Sequence, residues 1–179
     1  MGNAPGYGGF ATRDALYEQA AHEYGGALQR LARAYEADAD RRQDLLQDIH
    51  IALWRSLAIF DGRCSLRTWV YRVAHNVATS EVIRRRAHSP TWVTLDEIAS
   101  TPDAYDGERA FNRQHALDRL YALIYTLKPA ERQVILMYLE GLDAASIGEI
   151  TGMSSGNVAT KVHRIKQILA RRFHEGETS

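Results

Sequence analysis

Apolar residues recur at helical spacing through most of this chain, and no stretch alternates convincingly as a strand would. Leu16, Ala20, Tyr24, Leu28, Leu31 and Tyr35 share one side of a helix predicted from about Arg13 to Tyr35. A second helix, from about Asp40 to Phe60, gathers Leu45, Leu46, Ile49, Ala52, Leu53, Leu57 and Phe60 on a broad apolar side. Asp61-Gly62 ends it, and Ser65 is placed to cap a third helix that runs to about Arg86 and buries Leu66, Trp69, Val70, Val73 and Val77. Residues 89–111 carry Pro90, Pro102, Gly107 and scattered Ser, Thr and Asp, which is linker composition. Four helices follow, roughly Asn112–Thr126, Pro129–Glu140 with Pro129 in the first turn, Asp143–Thr151 and Ser155–Phe173. The expected fold is all-α: two small helical domains, 13–88 and 112–174, joined by an acidic flexible linker and flanked by a flexible leader (1–12) and a tail (175–179).

The stretch "SIGEITGMSSGNVATKVHRI", Ser146 to Ile165, reads as two short helices with a tight corner at Gly152-Met153 and a cap at Ser154. That is the pattern of a helix-turn-helix, whose second helix usually enters a DNA groove. The last helix buries Val158, Val162, Ile165 and Leu169. Gly156, Ala159, Thr160, His163, Arg164 and Gln167 lie on its other side, with Lys161 and Lys166 on the flanks. Small residues allow close approach to a groove. Thr160, His163 and Gln167 can hydrogen-bond base edges, and Ala159 can meet a thymine methyl. Lys161, Arg164 and Lys166 suit phosphates, where they add affinity without sequence information.

Two further polar faces remain. On the second helix, Asp40, Asp44, Gln47, Asp48, Ile51 and Arg55 form an acidic stripe around one aliphatic residue. A docking face for another protein tends to look like this, and so does a plain solvated face. On the third helix, Arg72, His75, Asn76 and Thr79 lie together, near Phe60 and the loop Asp61–Ser65. Cations for the backbone, rings to stack on and amides to read Watson–Crick edges are what single-stranded DNA requires. An ordinary helix can have the same composition, and Trp69 reads as core.

Charge sharpens this picture. The 179 residues hold 22 Lys and Arg against 22 Asp and Glu, so the net charge is zero. The signs are nevertheless segregated: residues 63–88 and 152–173 are basic, and 89–111 are acidic. Two basic blocks around an acidic connector suggest two nucleic-acid-facing modules on a tether. Cys64 is the single cysteine, no His/Cys cluster has zinc-ligand spacing, and no apolar run could span a bilayer. A reduced cytoplasmic setting fits. The N-terminal residues lack the basic flank and apolar core of a signal peptide. No cofactor, metal or catalytic residue is expected. An enzyme could be assembled on paper from Asp44, Asp48 and His75, but no Gly-rich phosphate loop, metal triad or activated nucleophile accompanies them. The main rival to a tethered two-module reader is an autonomous regulator binding an operator as a homodimer.

The segment "RQDLLQDIHIALWRSLAIFDGRCSLRTWVYRVAHN" resembles region 2 of bacterial extracytoplasmic-function (ECF) sigma factors of the sigma-70 family. "LKPAERQVILMYLEGLDAASIGEITGMSSGNVATKVHRIKQILARR" resembles their region 4. The resemblance implies core RNA polymerase (clamp and flap regions of its large subunits) and promoter DNA as partners. Asp44, Leu45, Gln47, Asp48 and Ile51 would then grip the polymerase clamp helices. Phe60, Asp61, Gly62, Arg63, Ser65, Tyr71, His75 and Asn76 would surround a base flipped from the −10 element, with Arg67, Arg72, Arg84 and Arg85 holding the melted strand. The helix carrying Ser155, Gly156, Asn157, Ala159, Thr160, Lys161, His163, Arg164 and Lys166 would read the −35 duplex. The acidic linker is similar to family linkers that thread the RNA exit path. The chain departs from the family at Arg41-Arg42-Gln43, where acids are common, at Ser80 and Ile83, and at Ala159. Control by an anti-sigma factor, a kinase or expression level stays open, as does docking of the two domains over their DNA faces.

Overall fold

The computed structural model describes residues 12–88 and 108–175, and these are helical almost throughout. The first helix, α1 (Arg13–Tyr35), starts where Thr12 Oγ1 accepts the Ala15 N–H at 3.3 Å. Asp38 caps α2 (Ala39–Ser56) in the same way, accepting the Arg41 N–H at 2.9 Å. The expected single helix to Phe60 is instead α2 followed by a 3-10 turn, Leu57–Ile59. Ser56 helps close α2, its hydroxyl bonding the Leu53 carbonyl at 2.9 Å while it accepts the Trp69 indole N–H at 3.0 Å. Gly62, at φ +73°, turns the chain as its Asp-Gly signature implied, and Ser65 Oγ caps α3 (Leu66–His88) by accepting the Thr68 N–H at 3.0 Å.

The second half comprises α4 (Glu108–Tyr125), α5 (Pro129–Leu139), α6 (Ala144–Thr151) and α7 (Ser155–Glu175). Two boundaries differ from expectation. Helix α4 begins inside the segment read as linker, because residues 108–111 contain no breaker after Gly107, and α7 extends into the expected tail. The rest of the linker (89–107) and nearly all of the leader lie outside the described residues. Between α6 and α7, Gly152 adopts φ +78°. A Cβ on Gly148 would stand 2.5 Å from the Met153 carbonyl oxygen, so only glycine allows the corner to close this tightly.

Helices α1, α2 and α3 pack against one another around Leu28, Leu31, Ile49, Leu53, Val70 and Ala74. Each buried leucine, isoleucine or valine among these contributes roughly 1.5–3 kcal/mol of transfer free energy. The two bundles are not separate. Ile124, Leu127, Ile135, Leu136, Ile165 and Leu169 of the second half join that same buried cluster. A second cluster places Ala27 and Tyr71 of the first half among Val134, Met137, Leu142, Ile147, Val158 and Val162. Buried Arg132 donates to the Tyr125 and Leu127 carbonyls, and its guanidinium lies 5.2 Å from the centre of the Tyr35 ring, across the junction.

Candidate nucleic-acid interface and docking face

Helix α7 buries one stripe, Val158, Val162, Ile165 and Leu169, and turns its polar side outward. Ser154 Oγ accepts the Asn157 N–H at 3.3 Å, the cap expected at this corner. Ser155, Gly156, Asn157, Ala159, Thr160, His163, Arg164 and Lys166 are exposed, and Lys161 is half-buried. Several of these side chains have intramolecular partners. Gln167 Nε2 lies 3.0 Å from His163 Nε2, Lys166 donates to the Tyr138 hydroxyl at 3.3 Å, and Arg164 pairs with Glu131. The face is therefore basic, exposed and partly held by intramolecular bonds.

On α2, Asp44, Gln47, Asp48 and Ile51 are exposed together, Ile51 to 42%. Leu45 is not among them. Its helical position turns it inward, only 3% exposed, so its assignment to the docking face is corrected to core. Arg42 folds back onto the Ala37 carbonyl at 3.0 Å, and Arg41 stands exposed. A groove of about 510 Å³ runs from Asp48, Ile51 and Arg55 across to Asn76, Glu81 and Arg84, so the exposed face of α2 and the Asn76 side of α3 share a border.

Helix α3 departs most from its sequence reading. Asp61, Gly62, Arg63, Ser65 and Asn76 are exposed, and half-buried Phe60 packs edge-on to Trp69 with ring centres 5.3 Å apart. Arg63 pairs with Asp61 at 3.0 Å. His75, by contrast, is fully buried: its Nδ1 lies 3.2 Å from the Tyr35 hydroxyl and its ring stacks on Tyr71. Desolvation lowers its pKa to about 3. Its place on an open strand-binding side is thus corrected. Tyr71 is 3% exposed, inside the second cluster, and burial raises its phenol to about 12. The one-sided stripe inferred for α3 failed because α1, α2, α5 and α6 all pack on it. The cations nearby are also engaged. Arg67 donates to the Glu140 carbonyl at 2.5 Å, and Arg72 to the Glu149 carbonyl at 3.3 Å. Arg84 pairs with Glu81, while Arg85 joins Glu81 to buried Glu36 and is partly an internal cation. No periodicity could have revealed Arg30, Arg33, Asp118 or Glu140, whose ion pairs link distant segments.

Comparison with known proteins fits this layout. Residues 20–88 match the sigma-70 region 2 family, and residues 117–169 match sigma-70 region 4. The chain is 30% identical over 133 residues to the RNA polymerase sigma factor YlaC of Bacillus subtilis, covering 73% of this chain and 76% of that protein. It is 24% identical over 144 residues to the ECF RNA polymerase sigma factor SigW of the same organism, covering 74% and 75%. The chain belongs to the sigma-70 family, in its ECF branch. Its fold resembles that of the sigma factor RpoE in complex with the anti-sigma factor NepR from Bartonella quintana, with a TM-score of 0.69 at 19% identity over 89% of this chain and 96% of that one. As an ECF chain it carries region 2 on α1–α3 and region 4 on α4–α7. Among the described residues no helix is long and apolar enough to cross a membrane.

Proposed function

We propose that this chain directs promoter-specific initiation by core RNA polymerase, with the exposed face of α2 as its polymerase grip. The single observation that carries this reading is a division of surfaces on one chain. Asp44, Gln47, Asp48 and Ile51 are open on region 2, and the basic outer side of α7 is open on region 4. A lone operator binder needs the second surface but not the first. Helix α7 would read the −35 duplex, with Ala159, Thr160 and His163 toward base edges and Lys161 and Lys166 toward phosphates. Phe60, the loop 61–65 and Asn76 would receive a base from the −10 element. Arg67, Arg72 and Arg84 would hold the melted strand, with Tyr71 joining once uncovered.

The physical logic is effective concentration. Each region binds DNA weakly, and polymerase fixes their separation so that the second contact becomes nearly intramolecular. Extruding a base costs a few kcal/mol, which capture of that base and backbone charge must offset. Recognition and melting thereby become one event, while polymerase supplies the phosphoryl-transfer chemistry.

The test adds the purified protein to core polymerase and measures sequence-selective transcription, with Asp44→Arg/Asp48→Arg in parallel. The wild type should initiate, and the double variant should lose about tenfold or more, equivalent to about 1.4 kcal/mol of docking free energy. Selective duplex binding without initiation would transfer the assignment to the autonomous regulator.

A further inference from the structure

Helix α7 carries no acidic residue from Ser155 to His174, yet one carboxylate reaches its outer side from another helix. Glu131, in the first turn of α5, pairs with the Arg164 guanidinium. The two side chains are unequally exposed, 17% for Glu131 and 58% for Arg164. Glu131 is well anchored: Pro129 opens α5, the Glu131 N–H donates to the Lys128 carbonyl at 2.9 Å, and the positive end of the helix dipole favours an anion there. An ion pair this exposed on its arginine side adds little to stability, and a carboxylate beside a duplex repels phosphates. Helical phase gives the pair another use. At about 100° per residue, Arg164 lies about 40° from Thr160, whereas Lys161 and Lys166 lie about 100° and 120° away on opposite flanks. Gly156, Thr160 and Arg164 thus form one exposed row along the middle of the outer side. In that row the Thr160 hydroxyl donates to the Gly156 carbonyl at 3.0 Å, which leaves it an acceptor and a methyl to offer a base. Arg164 is the strong donor of the row.

We propose that Glu131 is a positioning residue for duplex recognition, pinning one edge of the Arg164 guanidinium so that another edge reads a guanine. A guanidinium presents five N–H donors in a rigid fork. A carboxylate on one edge leaves another to meet O6 and N7 of guanine, the bidentate contact that suits this shape. Without the carboxylate, the long side chain would follow the phosphate charge on either side of the groove, adding affinity but no sequence information. Glu131 touches no DNA in this arrangement and acts only through Arg164. Arg164 therefore belongs with the base readers, while Lys161 and Lys166 on the flanks serve the backbone. The inference rests on the reading of the −35 duplex by α7.

The test uses the full-length protein at low salt and a preferred duplex that the wild type selects from a randomised pool, with its single-base variants and a scrambled duplex. Glu131→Gln keeps the size of the side chain and removes its charge. It should weaken the preferred duplex by roughly fivefold and flatten discrimination at one G·C pair, the same pair that Arg164→Ala flattens. Binding to the scrambled duplex should be equal or tighter, because an acid has left the face, and this also reports that α7 is intact. In an Arg164→Ala background, Glu131→Gln should alter discrimination no further, the non-additivity expected of two residues acting as one. If Glu131→Gln binds every duplex more tightly with discrimination kept, the carboxylate is a competitor of phosphate and the proposal falls. Unchanged discrimination, or losses that add in the double variant, would make the pair structural and overturn it as well. A wild type that selects no sequence from the pool would remove the −35 reading of α7 itself, and this inference with it.

Discussion

Helices α3 and α7 have similar lengths and both carry cations on their polar sides, yet they live in different surroundings. Helix α7 packs against α4, α5 and α6 along one stripe and leaves most of its polar side exposed. Helix α3 meets α1 and α2 on its own side of the molecule and α5 and α6 from the other. The difference shows that a polar residue opposite an apolar stripe is an available ligand only when the neighbouring helices all pack on one side of its helix. On α7 that condition holds for Thr160 and His163. On α3 it fails at Tyr71 and His75.

The largest effect that would test this contrast is Tyr71→Ala. Tyr71 belongs to the cluster built mainly by region 4 and also stacks on His75 inside region 2, so its removal leaves a cavity that both regions line. Urea unfolding should report a loss of roughly 3–5 kcal/mol, the cost typical of deleting a buried aromatic ring. Thr160→Ala on the open side of α7 should stay within about 0.5 kcal/mol of wild type. Equal costs for the two substitutions would abolish the distinction between a covered and an open helix.

A smaller effect comes from pH. His75 is buried uncharged with a pKa of about 3, against about 6.5 in an unfolded chain. Between those values the unfolded state binds the extra proton, so the stabilisation is complete above pH 6.5 and falls as the pH drops below it. The loss is about 1.4 kcal/mol per pH unit, hence about 2 kcal/mol by pH 5. His75→Phe keeps a ring in the slot and should remove that part of the slope. A parallel pH dependence for wild type and variant would mean that His75 meets solvent in the native protein.

Helix content, the Ser65 and Ser154 caps and the Gly62 and Gly152 corners were all legible, because each depends on residues within one or two turns. The same holds for the outer side of α7, where one face is packed. Leu45 was misassigned because a family pattern names it, although its helical phase places it with Ile49 and Leu53 in the core. The engagement of Arg67 and Arg72 by α5 and α6 was invisible. Residues more than seventy positions apart meet there, and nothing local distinguishes an arginine waiting for phosphate from one already holding a carbonyl. The start of α4 inside the linker was hidden by composition, since Pro90, Pro102 and Gly107 weighted the whole segment toward coil although residues 108–111 contain no breaker.

The smallest effects separate two kinds of residue within the open face of α7. His163 stands outward with Gln167 Nε2 3.0 Å from its Nε2, so ring and amide are presented together. Such a side chain can specify a base, so His163→Ala should weaken the preferred −35 duplex by about 1 kcal/mol or more and relax discrimination at one position. Lys161, half-buried on the flank, has a flexible charged end suited to phosphate. Lys161→Ala should weaken all duplexes alike and lower the salt dependence of binding by about one unit of slope. Measuring each variant against a set of single-base-substituted duplexes at several salt concentrations separates the two behaviours. A uniform loss for His163→Ala would move the base-reading edge to Thr160 and Ala159, one turn nearer the corner at Gly152.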